Sequence, residues 1–473
     1  MPNAGALCWM VLVAGAVDPN GATTPTTATT TTTSTSTSTS TTTWTSRPAS
    51  SPARELPLSA ALAELDRQNL TLAQARERVR EASGVVWQAA SPLVPTVIAS
   101  GQALRNSDEF ALKLPPSLGP GIGLPAGGVT IQPRHQLSGT LAVRLPLIVP
   151  TSWFDVSQAR GAERAAAAGA EATRRQLRAG FAQAAYAALA TEEVVTAAER
   201  ALQDAAELTR SAERRVKAGT SAPLDALKAR TEEVSRRSDL VRARADVDRA
   251  RLQLGVLLGR EGPVRVTVPE VGLAPVEREG AGDDALGQEA LGSRPELVAQ
   301  RAQVEAADAA VRSGWARWAP QLSATGSAFA SDIPYPTGKT DGWRATLDLT
   351  WALWDGGLGL GKRRQADAQA GEARAAEEAE RLAILEEVHD ASRDLGVARE
   401  QLDLAGQRRG LAAETAASAR RSFEAGIASS LDVIDANDRL FTADVNLAAA
   451  RARLAASAIA LENALGRDPG RTR

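Results

Sequence analysis

The chain is almost without cysteine, histidine and tyrosine: one Cys, two His and two Tyr in 473 residues. That leaves no ligand set for a metal and no second thiol for a disulfide, so no metal and no cofactor is expected. Cys8 follows Leu7, not a small residue, and precedes most of the neighbouring apolar run, so it does not fit a lipid-attachment site. A dominant charge is missing too: the formal net charge of −2 gives no general attraction to nucleic acid. No apolar run reaches the roughly 18 residues of a membrane-spanning helix. The longest, Leu7 to Val17, carries Ala14-Gly15-Ala16 at its end and reads as a signal peptide over residues 1–17, although Met1 to Ala6 holds no Lys or Arg. Residues 18–55 are dominated by Thr, Ser and Pro; such a stretch buries too little surface to offset its ordering entropy, and a disordered tether is expected. Folding is expected to begin near Leu56.

Proline is also absent from Thr151 to Ala222 and from Thr337 to Asp468, two spans rich in Ala, Arg, Glu and Leu. A helix over Ser157 to Lys217 would be about 90 Å long. Helices of that length outrun a globular domain, so coiled-coil packing is expected. Val433, Leu440, Leu447, Leu454 and Leu461 recur every seven residues, as do Leu240, Val247 and Leu254.

What is present is present twice. Arg214-Arg215-Val216-Lys217-Ala218-Gly219-Thr220 returns 207 positions later as Arg421-Ser422-Phe423-Glu424-Ala425-Gly426-Ile427, and Leu258-Gly259-Arg260 as Leu465-Gly466-Arg467. A unit this long implies two similar halves side by side and no short-period solenoid. The expected layout is a first repeat over 56–260, a linker over 261–292, a second repeat over 293–467 and a tail over 468–473.

Between the helices lie four segments that alternate apolar and polar residues, near 96–105, 136–147, 321–331 and 343–354. Trp343, Ala345, Leu347 and Leu349 stand against Arg344, Thr346 and Asp348; Leu141, Val143 and Leu145 stand against Thr140 and Arg144. Each is about the length of a tilted strand crossing a bilayer. Trp153, Trp315, Trp318, Trp343, Trp351 and Trp354 lie in or beside these strands, as interfacial aromatics do in membrane barrels. A soluble two-faced sheet alternates as well. In the membrane reading Arg144, Arg344, Thr346 and Asp348 face a lumen. Four strands cannot close a barrel, so several copies must share one. The fold class expected is mainly α, with very long coiled-coil helices and four amphipathic strands given to a shared transmembrane β-barrel.

Motifs for chemistry are weak. Gly356-Gly357-Leu358-Gly359-Leu360-Gly361-Lys362-Arg363 comes close to a phosphate-binding loop, but Arg363 stands where a Ser or Thr is needed. Gly121-Ile122-Gly123 sits in a Pro-rich loop and carries no dinucleotide context. No nucleophile, base or metal cluster emerges, and no enzyme is expected. Asp432 and Asp435 share one helix face just after the Gly426 turn. Asp432 can complement the helix dipole with Ser429 or Ser430 as cap; alternatively, both carboxylates can form a ring about an oligomer axis.

With these long helices, paired hairpins, the duplicated glycine turn and Leu431-Asp432-Val433-Ile434-Asp435-Ala436, the chain resembles the TolC-like outer-membrane efflux proteins. Leu353-Trp354-Asp355-Gly356-Gly357, Arg294-Pro295-Glu296-Leu297 and Asn463-Ala464-Leu465-Gly466 strengthen the resemblance. It implies a homotrimer in the outer membrane of a Gram-negative bacterium, with a twelve-stranded barrel and a long periplasmic helical tunnel. It further implies turns at Gly219, Thr220, Ser221 and Gly426, Ile427, Ala428 that dock a periplasmic adaptor of an inner-membrane pump. Asp432 and Asp435 would be the constriction, and the protein a passive exit duct. The competing expectation is a soluble coiled-coil scaffold or adaptor without transport activity.

Overall fold

The computed structural model describes residues 54–112, 129–269, 282–334 and 339–468, all within one compact unit. The expected signal peptide, most of the tether and nearly all of the tail lie outside these residues. Elements follow in the order β1 (Arg54–Pro57), α1 (Leu58–Gln68), α2 (Leu70–Ala90), β2 (Thr96–Arg105), β3 (Phe110–Leu112), β4 (Val129–Gln132), β5 (His135–Ile148), α3 (Pro150–Lys217) and α4 (Pro223–Leu257). Then come β6 (Val264–Thr267), α5 (Asp283–Ser293), α6 (Pro295–Ala316), β7 (Gln321–Ser331), β8 (Asp341–Thr350), α7 (Leu358–Glu424) and α8 (Ser430–Ala464). The duplication is visible directly, since α1, α2, a hairpin, α3 and α4 are matched by α5, α6, a hairpin, α7 and α8.

Helices α3 and α7 have 68 and 67 residues, about 100 Å each at 1.5 Å per residue. Helix α3 starts at Pro150, ahead of the expected Ser157, because proline at the first turn forfeits no hydrogen bond and pre-sets φ. Along one end α3 pairs with α4 and α7 with α8; along the other end α2 and α6 take those places. Glycine permits one tight crossing: a Cβ on Gly161 of α3 would lie 2.8 Å from the Ala306 Cβ of α6.

Midway, two apolar clusters anchor the stack. One joins Leu62, Leu65, Phe181, Leu254 and Leu258; the other joins Leu297, Ile384, Val388, Leu461 and Leu465. Full burial of each such side chain contributes about 1.5–3 kcal/mol. Asn69 caps α2 by accepting from the Leu72 amide and donates 2.8 Å to the Leu257 carbonyl, so α2 continues the line of α4. Arg294 does the corresponding work in the second copy, donating to the Ala464 carbonyl and to Glu387 and Glu296. Its burial opposes charge, yet the two glutamates hold its pKa above the ordinary value. That explains Arg294-Pro295: a cation for the terminal carbonyls of α8, then a proline to start α6.

Four boundaries differ from expectation. Arg54 and Glu55 belong to no tether: they form β1, which pairs in parallel with β6 inside the expected linker 261–292. That linker also holds most of α5; residues 270–281 lie outside the described ones. The strand expected to run to 354 ends at Thr350, because Thr350 already pairs with Gln321, the first residue of β7, and no partner lies beyond. The short pair β3–β4 extends the first hairpin; three or four residues are too few for alternation to show in a sequence.

Candidate functional site

The four long strands form one antiparallel sheet in the order β2-β5-β7-β8. Register sorts the faces. Thr96, Arg144, Thr325 and Thr346 lie in one row across the sheet, with Pro146, Ser323 and Asp348 in the next row on one side and Ser327 and Arg344 in the next row on the other. All four residues read as lumenal, Arg144, Arg344, Thr346 and Asp348, therefore share one face. The other face carries Val97, Leu141, Val143, Leu145, Trp343, Leu347 and Leu349, each at least 41% exposed. No layer of the described chain covers that apolar face, and a soluble sandwich would need one. The outer edges, β2 and β8, have no strand partner among the described residues.

Every strand meets its helix at the same end of the sheet. There Trp153, Trp315, Trp351 and Trp354 are exposed, and Trp351 donates its indole N–H to the Trp318 carbonyl at 3.0 Å. Trp343 sits toward the far end of β8. Trp343 and Trp351 are eight residues apart, about 26 Å along a strand. With a tilt of about 40° this spans about 20 Å of height, close to the apolar band of a membrane barrel.

The phosphate-loop lookalike is already filled by the chain itself. Asp355 accepts from the amides of Gly357 (3.1 Å) and Gly359 (2.7 Å) at the start of α7. Those are the donors a phosphate would need, so the motif is a capped strand-to-helix turn.

At the opposite end of the long helices the two glycine turns lie side by side. Gly219 has φ 71° and Gly426 φ 79°. In each turn the residue after glycine bonds back to close the helix: Thr220 to Arg215 and Ile427 to Ser422, both at 2.9 Å. Arg215 lies over the Phe423 ring at 4.6 Å and donates to the Glu424 carbonyl; Ser430 donates to Asp225 at 3.2 Å. Gly219, Thr220, Gly426 and Ile427 are exposed, whereas Ser221 binds Asp225 and Ala428 packs against the cluster around Phe423 and Val433.

Asp432 lies in a capping box, accepting from the Ser429 amide and hydroxyl, both at 2.8 Å. Those bonds hold its carboxyl below the ordinary carboxylate range. Asp435 pairs with Arg439 at 2.8 Å. Both carboxylates are exposed. Sequence reading missed Arg439, the partner of Asp435 four residues on, although that spacing on a helix announces it. It also missed the tie between the halves: buried Arg236 of α4 binds Glu232, Asp239 and, at 2.6 Å, Asp438 of α8. No sequence signal links residues 202 apart.

Among the described residues no helix is long and apolar enough to cross a membrane, and no group of His, Cys, Asp and Glu is placed to hold a metal. A family model described as outer membrane efflux protein matches residues 61–260 and 286–467. No curated protein matches the chain in sequence. Among solved structures, the outer-membrane channel OprN superposes with a TM-score of 0.72 at 22% identity, covering 87% of this chain and 90% of that one. The outer membrane protein VceC from Vibrio cholerae superposes with 0.70 at 19% identity, covering 87% and 96%. CusC, which forms a transmembrane channel, gives 0.72 at 19%, covering 89% and 98%. At such identities the likeness speaks for the fold.

Proposed function

Because the chain belongs to the outer membrane efflux protein family, and so to channels and not enzymes, we propose that it is the passive exit duct of a tripartite export assembly. The observation that carries this reading is the open four-stranded sheet, with its apolar face exposed and its two edges unpaired among the described residues. Unpaired backbone in lipid costs several kcal/mol per group, so further copies must supply the missing strands; three make twelve. The helices support the same arrangement. They pack in the order α7-α8-α3-α4, and both outer edges carry exposed apolar residues at intervals of seven: Val397, Leu404 and Leu411 on α7, Leu227, Val234 and Val241 on α4. A heptad stripe on each edge fits a coiled-coil seam between neighbours in a homotrimer.

In this reading Arg144, Arg344, Thr346 and Asp348 line the barrel, and the six tryptophans Trp153, Trp315, Trp318, Trp343, Trp351 and Trp354 mark its interfaces. Asp432 and Asp435 form the constriction. The turns at 219–221 and 426–428 dock a periplasmic adaptor, which joins the duct to an inner-membrane pump. Transport energy comes from that pump, since among the described residues the phosphate-loop lookalike is closed by Asp355.

The docking claim has a direct test. A Cβ at Gly426 would meet nothing nearer than the Arg215 guanidinium at 3.9 Å, while φ 79° strains any L residue placed there. Gly426→Trp should assemble, as trimer formation checks, yet abolish export, whereas Gly426→Ala, which bears the same φ strain without the bulk, should export. Normal export by the Trp variant would remove this turn from the docking surface.

A further inference from the structure

We propose that residues 351–364 form a docking surface for anionic phospholipid headgroups, in the leaflet on the helix side of the sheet. The proposal rests on the outer-membrane reading and adds to it a lipid preference and the residues that set it. The segment is amphipathic along its length. Trp351, Leu353 and Trp354 are 60%, 71% and 75% exposed, and Leu358 and Leu360 remain exposed after them. Lys362, Arg363 and Arg364 follow at once. Thus apolar and aromatic side chains stand at the sheet end and cations one turn further from the bilayer, the order in which acyl boundary and phosphates occur.

The cations are available for lipid. The single carboxylate of the segment, Asp355, spends its oxygens on the Gly357 and Gly359 amides. Arg363 lies 4.4 Å from the exposed Trp315 ring and 3.5 Å from Asp367, so it positions the belt and offers little charge outward. Lys362 and Arg364 are exposed and make no ion pair among the described residues. Two unpaired cations stand beside five exposed apolar side chains. Against a phosphate layer both halves are satisfied.

The test uses the full chain, assembled in nanodiscs of phosphatidylethanolamine alone or mixed with phosphatidylglycerol, and read by native mass spectrometry of retained lipid. The wild type should retain phosphatidylglycerol preferentially, by about five-fold per cation at low salt. Lys362→Gln with Arg364→Gln should bring the preference to parity, and Lys362→Arg with Arg364→Lys should keep it. Equal retention by the wild type, or an unchanged preference in the double Gln variant, overturns the proposal. Should the double variant not assemble, Arg364→Gln alone decides: an unaltered preference overturns, a loss of about five-fold supports. A wild type that entered neither disc would overturn the membrane reading and this proposal with it; entry without preference overturns this proposal alone.

Discussion

Asp225 and Asp432 occupy equivalent places in the two copies and are held differently. Asp432 accepts from Ser429, the N-cap of α8; in the first copy that position is Ala222, and Asp225 instead accepts from Ser221 at 2.7 Å and from Ser430 of the other copy. The hydroxyl bonds lower the pKa of both carboxyls. A depressed folded pKa contributes stability above the unfolded value, and that contribution is lost as pH falls through the folded one. The two turns should therefore be closed at neutral pH and loosen progressively below about pH 4. Amide hydrogen exchange at Ser429 and Asp432, followed from pH 6 to pH 3 and corrected for intrinsic rates, should show protection falling there before it falls at Leu461 in the middle of the stack. Equal loss at both places would refute the local effect. At this scale the sequence announced the cap and the glycine turn through spacing alone. It did not announce Ser430 to Asp225, because two residues 205 apart become neighbours only when the hairpins stand side by side.

Among elements, the strands were the most legible, since a side-chain period of two survives any tertiary context and the register keeps it across all four. The polar row through Arg144 and Thr346 and the apolar row through Leu141 and Trp343 follow from it. Leu347→Arg should cost roughly 2–4 kcal/mol near the bilayer midplane, whereas Thr346→Arg on the opposite face should be tolerated. Urea titration of the protein folded into lipid measures both, and equal cost at the two positions would sink the barrel assignment. Less legible were the helix junctions. The approach of α3 to α6 depends on Gly161, which in the sequence is one more small residue in an Ala-rich run. Gly161→Leu should separate these helices, because the backbone and Cβ of Ala306 cannot yield as a flexible side chain would. A drop in thermal midpoint is the expected outcome, with Gly169→Leu, where space is open, as the silent control. The pair β1–β6 was hidden for another reason: parallel pairing across some 210 residues leaves no local turn to read.

On the scale of the whole molecule, the duplication sets two unlike tips side by side, and in the proposed duct the charge at the mouth would come mainly from the second copy: Lys228 stands where Asp435 has its counterpart. Removing Asp432 also removes a helix cap, so a change of conductance in that variant alone would mix folding with charge. Asp435 separates the two, since it binds Arg439 and touches no cap. If both aspartates ring the constriction of a trimer, the wild-type channel should prefer cations and be blocked by multivalent ones. Asp435→Ala should weaken that preference, because it frees Arg439 beside the remaining Asp432. Asp432→Ala with Asp435→Ala leaves Arg439 uncompensated, and the preference should pass over to anions. Reversal potentials across a planar bilayer under a salt gradient give the answer directly. A cation preference that survived in the double variant, with trimers intact, would return Asp432 to its capping role and Asp435 to a surface ion pair.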